Sequence, residues 1–214
     1  MLSEFVALVA PPRCALCANE CRVRQQVCDA CEAALHRLPA RPAAIPGLAL
    51  VWSAVPYEGR GRALVGALKF GARLPLAKLA AATIAARAPS ELLDGTLVPV
   101  PAAPWRRRWR GFDPAEAIAR ALAAEAGLGL RQCLRRSQGM RQVGRPRAQR
   151  LADPPRVRAT GPVPSRAILV DDVVTTGATL QACSRALRGQ GALRIVALTF
   201  ARSGAGVGVT GGRD

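Results

Sequence analysis

This chain of 214 residues predicts an α/β fold: a parallel sheet flanked by helices, preceded by a small cysteine module. Three observations carry that expectation. Residues 167–180 read as a buried strand, a loop and a helix, and residues 193–200 as the strand that follows. Further apolar runs at 48–57 and 96–101 are separated from it by helical periodicity, the alternation of α/β domains. Cys14, Cys17, Cys28 and Cys31 stand apart near the start.

Half of the residues are hydrophobic, at 50%, yet no run approaches the ~20 apolar residues that span a bilayer. Met1-Leu2-Ser3-Glu4 has no basic leader, so a secretory signal is not expected and the protein is expected to be cytoplasmic. Net charge is +17, nearly all from arginine, since Lys69 and Lys78 are the lysines. Such an excess attracts polyanions (nucleic acid, diphosphate or acidic partners) without naming one. Arginine codons in a GC-rich genome are a second source of the same bias.

Residues 1–37 predict a short amphipathic helix and a zinc-binding module. Leu2, Phe5, Val6 and Val9 share one helical face, which Pro11-Pro12 ends. Cys14-x2-Cys17 and Cys28-x2-Cys31 are paired knuckles whose thiolates can converge tetrahedrally on one Zn²⁺. Reduced cytoplasmic thiols favour a metal over a disulfide staple. With cysteine filling all four positions, the site reads as closed and structural. Cys21 is either an exchanged ligand or a spare thiol, and His36 a helix-end residue. Pro39, Pro42 and Pro46 mark 37–47 as the linker into a main domain at 48–202. Residues 203–214 read as a flexible tail, because no helix follows Gly206-x-Gly208-x-x-Gly211.

In the main domain, Ala63, Leu64, Ala67 and Leu68 predict one helix and 74–86 another, with Lys69-Phe70-Gly71 between them. Lys69 is either an anion contact or a solvated helix-end lysine. After the strand at 96–101 comes a basic loop. Arg106, Arg107, Arg108 and Arg110 repel one another there, so folding does not call for them. They suit a diphosphate, or, with Trp105 and Trp109, single-stranded nucleic acid; a solvated basic loop is the plain alternative. Asp113, Pro114 and Glu116 form a capping box that opens a helix running to Gly127. Residues 130–134 predict a short strand. Periodicity vanishes over 135–150, a polar stretch that reads as a lid carrying Arg141 and Arg145 to a diphosphate.

The chemistry concentrates at 171–179. Thr175, Thr176 and Thr179 offer hydroxyls, Gly177 lets a backbone approach closely, and Ala178 lies at the opening of the helix. A helix N-terminus adds partial positive charge, so the loop suits a phosphate monoester. Asp171 and Asp172 repel phosphate, but they accept hydrogen bonds from neighbouring ribose hydroxyls. An ordinary strand-to-helix turn accounts for Thr175 or Thr179, not for the whole string.

That string resembles the ribose-5-phosphate loop of type I phosphoribosyltransferases, which bind 5-phosphoribosyl-1-pyrophosphate (PRPP) with Mg²⁺. The whole chain resembles the ComF family, in its ComFC-like group. The carrying residues are the four cysteines, Lys69-Phe70, Val98-Pro99-Val100-Pro101, Arg110-Gly111-Phe112, Gln142 and 169–179, spanning about 14–200. Asp113 replaces the family's usual Asn, and the basic stretch at 147–153 lacks the family's Asn. The resemblance implies a type I phosphoribosyltransferase-like domain behind a four-cysteine zinc module, with structural Zn and with Mg beside PRPP or a related sugar phosphate. It implies that Asp171 and Asp172 are catalytic if transfer occurs. A role in DNA uptake during natural transformation follows, with single-stranded DNA and competence or recombination proteins as partners. Two alternatives stand: a nucleotide-salvage transferase acting on a nitrogenous base, and a non-catalytic single-stranded DNA-binding module.

Overall fold

Four strands pair in parallel to make the central sheet, in the order β1–β6–β5–β2: β1 is Leu50–Pro56, β2 Thr96–Pro99, β5 Arg166–Val174 and β6 Arg194–Arg202. The structure, a computed structural model, describes residues 12–23, 25–71, 74–136 and 155–204. The expected helix before Pro11, the lid residues Arg141, Gln142 and Arg145, and the glycine-rich tail fall outside these residues.

β5 and β6 are apolar on both faces, as a sheet covered on both sides requires. Ile168, Val170, Val196, Leu198 and Phe200 face one layer, while Ala167, Leu169, Ile195 and Ala197 face the other. The first layer holds α1 (Asp29–Arg37), α2 (Gly59–Gly71), α3 (Leu74–Ala85) and α5 (Pro114–Ala126). Against the second face lie α6 (Ala178–Arg188) and an antiparallel pair, β3 (Leu134–Arg136) with β4 (Val157–Ala159). In α6, Leu180, Cys183 and Leu187 repeat at helical spacing and are buried, which seats the helix beside the strand it follows.

Several segments differ from expectation. Lys69-Phe70-Gly71 is not a connector but the last turn of α2. Of 130–134, Leu130 makes only an isolated bridge to Leu97, and the regular strand starts at Leu134. The basic loop is a helix, α4 (Pro104–Arg110). Pro104 opens it at a first-turn position and Gly111, at φ 76°, closes it; arginine is a good helix former, so punctuation outweighs repulsion. Only half of the expected capping box forms. Asp113 caps α5 by accepting from Ala115 N–H at 3.1 Å, whereas Glu116 turns to Arg120 (2.8 Å) and Gln132 (2.8 Å).

The proline-marked linker is packed against the domain. Ala43 bridges to Val51 in β1, and the Gly47 carbonyl accepts from Ser184 and from Arg188 on α6. Arg87 joins the cysteine module to the sheet: its guanidinium donates to the carbonyls of Leu35 (3.3 Å), Leu38 and Ala54 (2.8 Å). Among the described residues no helix is long and apolar enough to cross a membrane.

Candidate functional site

The carboxyl end of β5, a central strand, opens into a small, open hollow lined by Asp171 and by residues 173–180. Gly177 makes the turn possible. Its φ is 77°, which strains any side chain, and a Cβ there would fall 2.4 Å from Ile45 Cδ1 of the linker, which would have to shift. α6 starts at Ala178, whose N–H points back to Thr176 Oγ1 at 3.4 Å. Thr175 and Thr176 are exposed, and Thr179 is half-buried. The loop therefore brings hydroxyls and a helix N-terminus to one concavity, an arrangement able to hold an oxyanion.

The two acids part company. Successive strand residues point to opposite faces, and Asp172 is not among the residues lining the hollow. Asp171 lines it and accepts from Asp172 N–H at 2.8 Å. Asp171 is half-buried as a whole residue, yet burial of its carboxyl is the leading cause that pushes it well above the ordinary carboxylate range; the neighbouring Asp172 adds to this. Asp172 is buried, and its Oδ2 lies 2.7 Å from Lys69 Nζ at the end of α2. That contact is an ion pair without hydrogen-bond alignment, for the same oxygen has no hydrogen-bond partner. Lys69 thus meets an acid of the chain itself.

Arg136 falls in the 135–150 stretch read as a lid, but with Arg135 it belongs to β3, paired with β4. It is half-buried, and burial lowers its pKa first, with Arg106 pushing the same way and Asp171 opposing. It therefore stands in the field of both the hollow and α4. Its pairing strand β4 has too few residues and too little periodicity to be read in advance.

α4 presents its side chains outward. Trp105 and Trp109 are 61% and 69% exposed, and Phe70 on α2 is 70% exposed. Phe70 and Trp109 meet edge to face, with centroids 6.1 Å apart. The Arg106 guanidinium lies 5.2 Å from the Trp105 ring and that of Arg110 lies 5.5 Å from Phe70. Arg110 Nε is buried without a partner. Among the described residues, none of Arg106, Arg107, Arg108 and Arg110 is in ion-pair contact with a carboxylate. Behind this helix, Asp113 accepts from Ala102 N–H at 2.9 Å as well as capping α5, so it locks the chain leaving β2. Burial raises the Asp113 carboxyl, and those backbone donors work against the rise.

The sulfurs of Cys14, Cys17, Cys28 and Cys31 all lie within 4.8 Å of one another. The Cys17 to Cys28 separation is 3.8 Å, the edge of a zinc-thiolate tetrahedron with ~2.3 Å bonds. These four cysteines could bind a zinc ion; Cys21 is not one of the group. Leu16 and Cys28 each donate an N–H to Cys14 Sγ at 3.4 Å, and Arg60 Nε donates to Cys31 Sγ at 3.4 Å. Burial favours the neutral Cys14 thiol, but its N–H donors outweigh that and bring it down to about 6. Burial pushes Cys31 up to about 12, with Arg60 opposing. Four thiolates resist this crowding until a dication neutralises them, which fits a metal site. His36 lies exposed in the last turn of α1.

Comparison with protein-family models and with curated proteins found no match.

Proposed function

We propose that this chain is a ComF-like protein with a phosphoribosyltransferase-type domain, which binds PRPP or ribose 5-phosphate with Mg²⁺ at 171–179 and serves DNA uptake in natural transformation. The observation that carries the reading is the hollow at the carboxyl end of β5, where Asp171, the threonine loop and the N-terminus of α6 converge. Ligands of open parallel sheets bind at this end of the strands. In this reading the 5-phosphate sits among Thr175, Thr176, Gly177, Ala178 and Thr179, which supply neutral donors and the helix end. Asp171, which lines the hollow, accepts from a ribose hydroxyl. Carboxylate oxygens also suit Mg²⁺, which would supply charge neutralisation for a diphosphate. Arg110 and Arg136 offer guanidiniums to that diphosphate, and the expected lid would add Arg141 and Arg145, which lie outside the described residues. The four cysteines hold a structural Zn²⁺.

A second reading, a single-stranded DNA-binding module, is favoured by the three exposed rings and the arginines of α4. The two readings are compatible on one molecule. A salvage transferase has less support, since no feature of the sequence specifies a nucleobase pocket.

Thermal unfolding with ligand tests the first reading. Ribose 5-phosphate at about 100 times its Kd stabilises a protein that binds it by ~2.7 kcal/mol. The expected result is a clear rise in Tm with ribose 5-phosphate and with Mg²⁺–PRPP, lost in Gly177→Ala. An unchanged Tm for both ligands overturns the reading. For the second, log affinity for oligothymidylate should fall steeply with log salt; a flat response would remove it.

A further inference from the structure

The four sulfurs of the cysteine module are not equivalent. Cys14 and Cys31 are buried in the core shared with the sheet. Each accepts N–H donors: Leu16 and Cys28 donate to Cys14 Sγ, and Arg60 donates to Cys31 Sγ. Cys17 and Cys28 are half-buried at the rim of that core, and their sulfurs face each other at 3.8 Å. Among the described residues, no N–H donates to either of these two sulfurs. Metal binding holds all four as thiolates, the nucleophilic form, so access and hydrogen bonding set the order of reactivity. A donor occupies a sulfur lone pair, and burial keeps reagents away. That order leaves Cys17 and Cys28 as an accessible pair, each placed to resolve the other.

We infer that Cys17 and Cys28 are an oxidation site: a peroxide joins them as a disulfide and the zinc is expelled, while Cys14 and Cys31 stay reduced. This rests on the zinc reading above. One thiolate sulfur attacks a peroxide oxygen, the O–O bond breaks and hydroxide leaves, so a sulfenic acid forms. The second thiolate attacks that sulfur, the S–S bond forms and a second hydroxide leaves. The two sulfurs lose two electrons and the peroxide gains them. Two thiolates remain, half of the set that a structural zinc site needs, so the metal dissociates. Cys14 and Cys31 pack with Leu64, Ile84 and Phe200, so oxidation at the rim reaches the core of the sheet domain. Cys21 is half-buried too but stands outside the group, so its own oxidation releases no metal.

The test uses the full zinc-loaded, reduced chain, with hydrogen peroxide as oxidant and a chromogenic chelator to read released zinc. The expected result is about one zinc released per peroxide consumed. Peptide mapping should show a Cys17–Cys28 link, in the wild type and in Cys21→Ser alike. Dithiothreitol with added zinc should restore the metal. Limiting N-ethylmaleimide should label Cys17 and Cys28 about tenfold faster than Cys14 and Cys31. In Arg60→Met, whose changed side chain is exposed, Cys31 should be labelled several times faster than in the wild type. A link that includes Cys14, Cys21 or Cys31 overturns the assignment, as does equal labelling of the four cysteines. Zinc retained after peroxide overturns it as well, and so does unchanged labelling of Cys31 in Arg60→Met. Reduced protein that holds no zinc overturns the metal reading and the oxidation site with it.

Discussion

Gly177 and Asp171 set the local terms of the site. A side chain at Gly177 meets both a left-handed backbone and Ile45, so Gly177→Ala should cost about 1–3 kcal/mol in urea unfolding. An unchanged midpoint would mean that the turn tolerates a Cβ. Asp171 is strained in another way. Burial and Asp172 raise its pKa, so the folded chain keeps a proton that the unfolded chain releases. Its contribution to stability therefore declines as pH rises from the ordinary carboxylate range toward the folded value, the reverse of a salt-bridged acid. Asp171→Asn should melt higher than wild type near neutral pH, with the gap closing toward about pH 4. Parallel melting curves would show that the carboxyl is not destabilising. At this scale the string from Asp171 to Thr179 was legible, because its chemistry is local. The division of labour between the two acids depends on Lys69, which the fold delivers from a distant helix.

Among the elements, the strands of the sheet announced themselves through unbroken apolar runs, since both faces are covered. α4 did not. Pro104 and Gly111 bound it, but a row of arginines has no apolar face from which to read a helical period. β3 and β4 were hidden for a related reason: three-residue strands gain their identity from pairing, which sequence does not display. Arg87 shows how elements are tied. It satisfies the carbonyls of Leu35 and Leu38 at the end of α1, and of Ala54 in β1. Arg87→Met should lower stability by about 1.5–3 kcal/mol in urea unfolding, because charged donors to buried carbonyls are lost together. A change within experimental scatter would show that water replaces the guanidinium.

The molecule as a whole shares one core between its cysteine module and its sheet domain. Cys14, Val27, Cys31 and Leu35 pack in the same cluster as Leu64, Ile84 and Phe200. Zinc removal should therefore propagate beyond the module. Metal analysis of reduced protein should give about one zinc per chain, and chelation should lower the Tm of the entire unfolding transition. A sheet domain that melts unchanged after chelation would contradict this. The cluster itself was legible from its paired spacing, whereas its docking through Arg60 and Arg87 belongs to tertiary structure. The central claim is that the end of β5 is a sugar-phosphate site. Calorimetric titration of PRPP with Mg²⁺ into the zinc-loaded wild type and Asp171→Asn tests it most directly. The wild type should bind, and the variant, although more stable, should bind about tenfold more weakly or worse, because an amide cannot take the carboxylate form that Mg²⁺–PRPP favours. No binding by the wild type, or equal binding by the two proteins, would contradict the account.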